Sequence, residues 1–297
     1  MTKETIAEGM RALQLRIVEG LEKVDGKQKF KTDKWTRAEG GGGYTMTIAN
    51  GAIIEKGGVA FSQVHGEVTE AMKKQLGLEG DSFFATGVSI VLHPENPHSP
   101  IIHMNVRYFE LNTGVYWFGG GIDLTPHYVK EDLAKMFHQD LKDICDKYSP
   151  EFYKRFKPWA DDYFFIPHRN ETRGIGGVFY DHQDEKSTGI SKEELFAFAM
   201  DLGDNFPVIY GRQIEATKDN VPTAEHKNWQ MIRRGRYVEF NLAHDRGTKF
   251  GLYSGGRTES ILMSMPPVAN WEYMHEVKEG SEEQKTMNSL VKGVDWV

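Results

Sequence analysis

Residues 101–109 read Ile101-Ile102-His103-Met104-Asn105-Val106-Arg107-Tyr108-Phe109. Along a strand, successive side chains point to opposite faces. His103, Asn105 and Arg107 would then share one face, and Ile102, Met104 and Val106 the other. That makes a sheet with one apolar surface and one surface carrying a row of hydrogen-bonding groups. A half-solvated antiparallel sheet also turns polar residues outward, but Lys, Glu and Thr are the usual occupants of such a face. The preceding stretch repeats the arrangement, because Ser89, Val91 and His93 also fall on one face.

Outward from this segment, alternation and turn signals predict strands near 44–49, 52–56, 58–65, 83–93, 101–111 and 114–119, and a short one near 176–181. The run Gly40 to Gly43 opens this β-rich half, and an amphipathic N-terminal stretch precedes it. Helical spacing predicts helices at about 130–147 and 150–163, one starting at the capping-box sequence Ser191-Lys192-Glu193-Glu194, and more at 207–218 and 222–233. Two strands, near 236–244 and 249–254, are expected after them. Strands, then helices, then strands again indicate an α+β fold, an antiparallel sheet covered by helices.

Composition narrows the function. The net charge is −7, which argues against nucleic-acid or anionic-membrane binding. An anionic ligand would need a local arginine cluster. The single cysteine, Cys145, excludes an intramolecular disulfide and reads as a buried thiol on a helix. Glu4, Glu8, Glu19 and Glu22 interrupt the N-terminal apolar pattern and count against a signal or transit peptide. No stretch approaches the ~20 apolar residues of a membrane span, so a cytoplasmic protein is the expectation.

Gly119-Gly120-Gly121 follows Val115-Tyr116-Trp117-Phe118 and is expected to deliver Asp123 just beyond a strand end, with backbone open to a flat ligand or another strand. In Tyr237-Val238-Glu239-Phe240-Asn241, alternation would put Glu239, Asn241 and Asp245 on one face, with Arg246 at the strand end. Arg173, Arg246 and Arg257 each adjoin glycines; together with Arg107 they suit a site for several carboxylates. There is no HExxH or C-x-x-C motif. Any metal site would need dispersed ligands, for which His93, His103, His138 and His168 are the candidates, with ordinary hydrogen-bonding histidines the competing reading.

From about residue 35 to 276 the chain resembles the oxygen-dependent coproporphyrinogen oxidase family. The resemblance rests on Gly58-Val59-Ala60-Phe61-Ser62, HMNVRYFE from His103, WFGGGIDLTP from Trp117, HRNETRGIGG from His168, YVEFNLAHDRGTKFGL from Tyr237 and GGRTESILMSMPP from Gly255. It implies a large flat antiparallel sheet covered by helices on both faces. It also implies a homodimer, with the contact at 237–272, while the mixing of apolar and charged residues along the whole length favours a single domain over 1–297 with an N-terminal helix and connection at 1–34. The implied reaction is oxidative decarboxylation of the ring A and B propionates of coproporphyrinogen III, giving protoporphyrinogen IX, CO2 and H2O2. Molecular oxygen is the co-substrate and no organic cofactor is implied. Carried over by position, His103 is the proton donor, Asp245 the central acceptor for pyrrole N–H groups and Asp123 a further functional acid. Ser89, Asn105, Val106, Arg107, Gly255, Gly256 and Arg257 fall on substrate-contacting positions, and Arg173 and Arg246 join the carboxylate-binding rim. A divalent metal on His93, His103, His138 and His168 stays open, since some members are described with one and others work without. A dispersed-histidine metal oxygenase on another planar acid, or a non-catalytic tetrapyrrole carrier, are the competing functions.

Overall fold

The computed structural model describes residues 1–70, 72, 73, 79–253 and 256–297. Helix α1 (Lys3–Asp25) starts at Thr2, whose side chain accepts from the Thr5 N–H, and ends at Gly26 with φ 71°. Its buried stripe of Ile6, Met10, Leu13, Ile17 and Leu21 recurs every three or four residues. Full burial of one such side chain is worth roughly 1.5–3 kcal/mol, so this stripe fixes α1 against the sheet.

That sheet is antiparallel and seven-stranded, in the order β1-β2-β3-β4-β5-β6-β9. Its strands are β1 (Lys31–Thr36), β2 (Gly41–Ala49), β3 (Ile54–Glu67), β4 (Ser82–Pro94), β5 (Ile101–Leu111), β6 (Tyr116–Thr125) and β9 (Gly177–Gln183). A two-stranded ladder of β7 (Phe165–Ile166) and β8 (Glu171–Thr172) stands apart. Helices α2 (Glu131–Asp146), α3 (Phe152–Tyr163), α4 (Glu185–Thr188), α5 (Lys192–Glu215), α6 (Ala224–Ala243), α7 (Arg246–Tyr253), α8 (Thr258–Leu262) and α9 (Glu282–Ser289) complete the described elements. Val88, Ile90, Ile102, Met104, Val106, Phe118 and Ile122 pack on one face of the sheet, in one core with α1, α2 and α5. The opposite face meets α6, where Tyr237 packs on Val91 and Ile101, and the end of α8, where Met263 covers Gly58. Helices thus cover both faces, and Cys145 is buried in α2 as expected.

Several elements differ from the sequence reading. Where strands were expected near 236–244 and 249–254, residues 236–243 and 249–253 are helical, in α6 and α7, and 254 lies outside the described residues. Trp229, Ile232, Tyr237, Phe240 and Asn241 are buried at helical spacing while Leu242 is exposed, so tertiary burial follows the 3.6-residue period. Glu239 and Asn241 therefore do not share a strand face. Gly57 and Gly58 do not turn the chain but lie inside one long β3, and β6 runs through its three glycines, which places Asp123 inside the strand. Helix α5 continues through Pro207 where two helical stretches were expected.

Candidate active site

Directly paired residues project from the same face, so the strand register can be read as rows across the sheet. One row runs Asp33, Thr45, Ala60, Ser89, Asn105, Gly121, Phe179. The next runs Trp35, Gly43, Ser62, Gly87, Arg107, Gly119. Between β2 and β6 the floor is built from Gly, Ala, Ser and Thr, broken only by Asn105 and Arg107. Four strand spacings of ~4.8 Å make it about 19 Å wide. Gly119 is required for this shape: a Cβ there would lie 2.6 Å from Asp181 Oδ1 and 2.8 Å from Arg107 NH2, the two partners that form an ion pair above it at 2.9 Å. Arg107 also donates to Asn105 Oδ1 at 2.8 Å.

At the β9 end of this floor the chain gathers acid, phenol and cations. The Tyr163 ring stacks on Phe179 at 3.9 Å, and its hydroxyl donates to Asp245 Oδ1 at 2.8 Å. Asp245 Oδ2 accepts from the Thr248 N–H and hydroxyl, both at 2.7 Å, and so caps α7. Arg246, exposed, places its guanidinium 5.3 Å from the centre of the Tyr163 ring. At the β1 end, Arg257 pairs with Asp33 and donates to Ser260, whose hydroxyl meets that of Thr45 at 2.8 Å. Arg107, Asp245 and Arg257 thus border one sheet face.

His103 and Asp123 are cross-strand partners on this face, with His103 Nδ1 2.7 Å from Asp123 Oδ1. Burial alone would raise the Asp123 carboxyl. The Arg173 charge and the His103 hydrogen bond outweigh it, and the group is held below the usual carboxylate range. An ionised Asp123 accepts, so His103 Nδ1 carries the proton and Nε2 is left as the acceptor.

Arg173, expected at a carboxylate-binding rim, is instead buried at 2% exposure. It donates to both oxygens of Asp123 and to Asn241, and its guanidinium lies 4.5–4.7 Å from the ring centres of Phe164, Tyr237 and Phe240. With both ends of its fork engaged, it holds Asp123 rather than facing a ligand. Val106 is also corrected: its side chain is fully buried in the core on the far face, which leaves only its backbone toward the site. Gly256 is described and exposed, whereas Gly255 lies outside the described residues.

The four candidate metal-binding histidines do not converge. His93 is buried with Nε2 on the Ser264 carbonyl, and His138 lies in the far core, 2.8 Å from the Tyr153 hydroxyl and 2.9 Å from the Ile175 carbonyl. His168 Nε2 donates to Glu239, and its other nitrogen meets His244. Among the described residues no group of three or more His, Cys, Asp or Glu side chains could hold a metal ion. These residues do not fit a shared metal, because each imidazole is held at a different place by its own packing and hydrogen-bond partners.

The buried histidines have a measurable consequence. Burial pushes His93 down, and it pushes His127 and His138 each to about 3. In the unfolded chain a histidine titrates near ~6.5. The unfolded state therefore binds more protons as pH falls below that value, and stability drops from there down to the folded-state pKa. We expect the unfolding free energy to fall between pH 7 and pH 5, with each such histidine contributing up to about 1.4 kcal/mol per pH unit. Urea unfolding of the protein and of His138→Gln tests this: the variant should show a shallower slope, and an identical slope would contradict it.

Sequence reasoning missed Tyr163 and Asp181. Asp181 was within reach, since it alternates with Phe179 on the short strand expected near 176–181, which the structure pairs with β6. Nothing in the sequence around Tyr163 marks it, because its partner lies 82 residues away.

The whole chain finds relatives. A family model described as Coproporphyrinogen III oxidase matches residues 5–296. The mitochondrial oxygen-dependent coproporphyrinogen-III oxidase of Homo sapiens is 46% identical over 96% of this chain, which spans 65% of the human protein's length. The oxygen-dependent coproporphyrinogen-III oxidase of Prochlorococcus marinus (strain MIT 9312) is also 46% identical, over 96% of this chain and 90% of its own. That of Drosophila melanogaster is 49% identical, over 91% of this chain and 72% of its own. Fold, site and relatives together define an oxidoreductase built on one broad antiparallel sheet. The chain belongs to the coproporphyrinogen III oxidase family.

Proposed function

We infer that the chain is an oxygen-dependent coproporphyrinogen III oxidase, which converts the ring A and B propionates of its substrate to vinyl groups and yields protoporphyrinogen IX. The observation that carries this is identity of 46–49% over at least 91% of the chain to enzymes named for that reaction. Each turnover balances as R–CH2–CH2–COOH plus O2 giving R–CH=CH2, CO2 and H2O2. One β-hydrogen leaves with its electron pair to reduce oxygen, the C–C bond pair freed as the carboxyl carbon leaves as CO2 becomes the vinyl π bond, and O2, the two-electron oxidant, takes up the carboxyl proton as well to become H2O2.

The site supports a division of labour. The floor of small residues gives a four-armed anionic macrocycle a flat seat, with Ser89, Asn105 and the backbone near Val106 beneath it. Arg107, Arg246 and Arg257, with the backbone at Gly256, meet its carboxylates. Asp245 accepts from a pyrrole N–H through the unshared lone pair of Oδ1 and makes the ring electron-rich enough to react with oxygen. His103, oriented by Asp123 and by Arg173 behind it, exchanges a proton at Nε2. Preorganised charge does most of the work. No step is routed through a metal, because the four histidines do not form a site for one.

The segment 237–272 and its continuation suit a homodimer contact. Leu242, Leu252, Tyr253, Val268, Trp271, Tyr273 and Met274 are large apolar side chains exposed within one stretch of sequence. We also propose that residues 1–297 act as one catalytic unit, since α1 packs into the core it shares with the sheet, and that the protein works in the cytoplasm. No helix among the described residues is long and apolar enough to cross a membrane.

An aerobic assay with coproporphyrinogen III tests the function. The expected result is CO2 release and a vinyl-bearing product that require oxygen and persist after chelator treatment. Binding without CO2 release would identify a tetrapyrrole carrier, and activity restored only by added iron or manganese would identify a metal oxygenase.

A further inference from the structure

Asp245 has both carboxylate oxygens engaged from two directions, and only one of those engagements belongs to the helix it caps. Oδ2 is held by Thr248 at the start of α7, while Oδ1 receives the hydroxyl of Tyr163, the last residue of α3. The Tyr163 ring is fixed in turn by stacking on Phe179 at 3.9 Å with an interplanar angle of 15°. Phe179 sits opposite Gly121, whose missing side chain leaves room for that ring: a Cβ at Gly121 would lie 3.2 Å from Phe179 Cδ2. An unbroken mechanical link therefore runs from the floor of the site through two aromatic rings to one oxygen of the carboxylate.

We propose that Tyr163 is the positioning residue for Asp245, holding Oδ1 by a charge-assisted hydrogen bond so that the remaining lone pair of that oxygen points over the sheet toward a pyrrole N–H. This rests on the reading of Asp245 given above. A carboxylate capping a helix through one oxygen alone could swing about that contact, whereas a second donor on the other oxygen fixes its plane. The charged and titratable groups that act on Asp245 are Tyr163 from α3, Arg173 after β8 and Tyr237 from α6, while Arg107 from β5 and Arg246 on α7 act on the Tyr163 hydroxyl. All but Tyr163 are unchanged in the test below.

Tyr163→Phe keeps the ring and its stack and removes only the hydroxyl. The expected result is a 10- to 100-fold loss of kcat with KM within about threefold. Added to Asp245→Asn, the substitution should cost nothing further. Wild-type kcat overturns the proposal, as does a fall in kcat accompanied by a KM raised tenfold or more and a lowered melting temperature, which would mark a packing role only. If Tyr163→Phe does not fold, Phe179→Leu loosens the ring while keeping the hydroxyl. It should lower kcat with KM within about threefold, and an unchanged kcat overturns the proposal. The two readings separate cleanly: an active Asp245→Asn removes the role of Asp245, whereas an inactive Asp245→Asn beside a normal Tyr163→Phe removes only that of Tyr163.

Discussion

Asp245→Asn is expected to lower kcat by about 10²–10⁴-fold while leaving the melting temperature within about 2 °C of the parent protein. The reason is that Asp245 does two separable things. Its Oδ2 caps α7, and Asn caps helices about as well as Asp. The amide can turn its oxygen to the Thr248 N–H, which only an acceptor satisfies, and its NH2 to the Tyr163 hydroxyl, which can also accept. The cap survives, and the charge and the free lone pair over the sheet do not. Asp245→Ala should lose the same activity and in addition about 1 kcal/mol of stability from the missing cap. Steady-state kinetics together with thermal melts of both variants distinguish the roles. Near-normal turnover by Asp245→Asn would leave the acid as a helix cap and nothing more.

The largest effect on stability is expected at Arg173. Removing one partner of a buried ion pair leaves the other charge uncompensated and typically costs about 3–5 kcal/mol. Arg173→Met leaves Asp123, at 1% exposure, with only His103 as a side-chain partner and leaves Asn241 without its donor. Asp123→Asn combined with Arg173→Met removes both charges and should recover much of that loss. Chemical denaturation of the two variants measures the difference. Activity should fall in both, because His103 loses the fixed acceptor that sets its tautomer and orientation. If Arg173→Met cost less than about 1 kcal/mol, Arg173 would not be what holds the buried Asp123 charge in the fold.

Much of this was readable from one dimension. The alternation in 101–109 assigned His103, Asn105 and Arg107 to a common face, and the strand register keeps them there. Likewise, the polar signature of Ser89 pointed to the same surface, and the amphipathic stretches at 130–147 and 150–163 became α2 and α3. Side-chain periodicity is a local property of the backbone, so the sequence carries it directly. The strand reading of 236–254 failed for the same reason turned around. Tyr237 to Asn241 alternates polar and apolar over a few residues, and a short alternation fits either period until the rest of the molecule selects the buried side.

What the chain determined by itself was the alternation that makes one sheet face apolar and the other polar, together with the acids, arginines and glycines available to that second face. What only the tertiary structure decided was the partner of each polar group: Arg173 buried against Asp123, His168 bound to Glu239, Tyr163 on Asp245. Those pairings join residues 50, 71 and 82 positions apart. A side chain's face follows from its own backbone, but its partner follows from strand register and helix packing, which long-range burial sets.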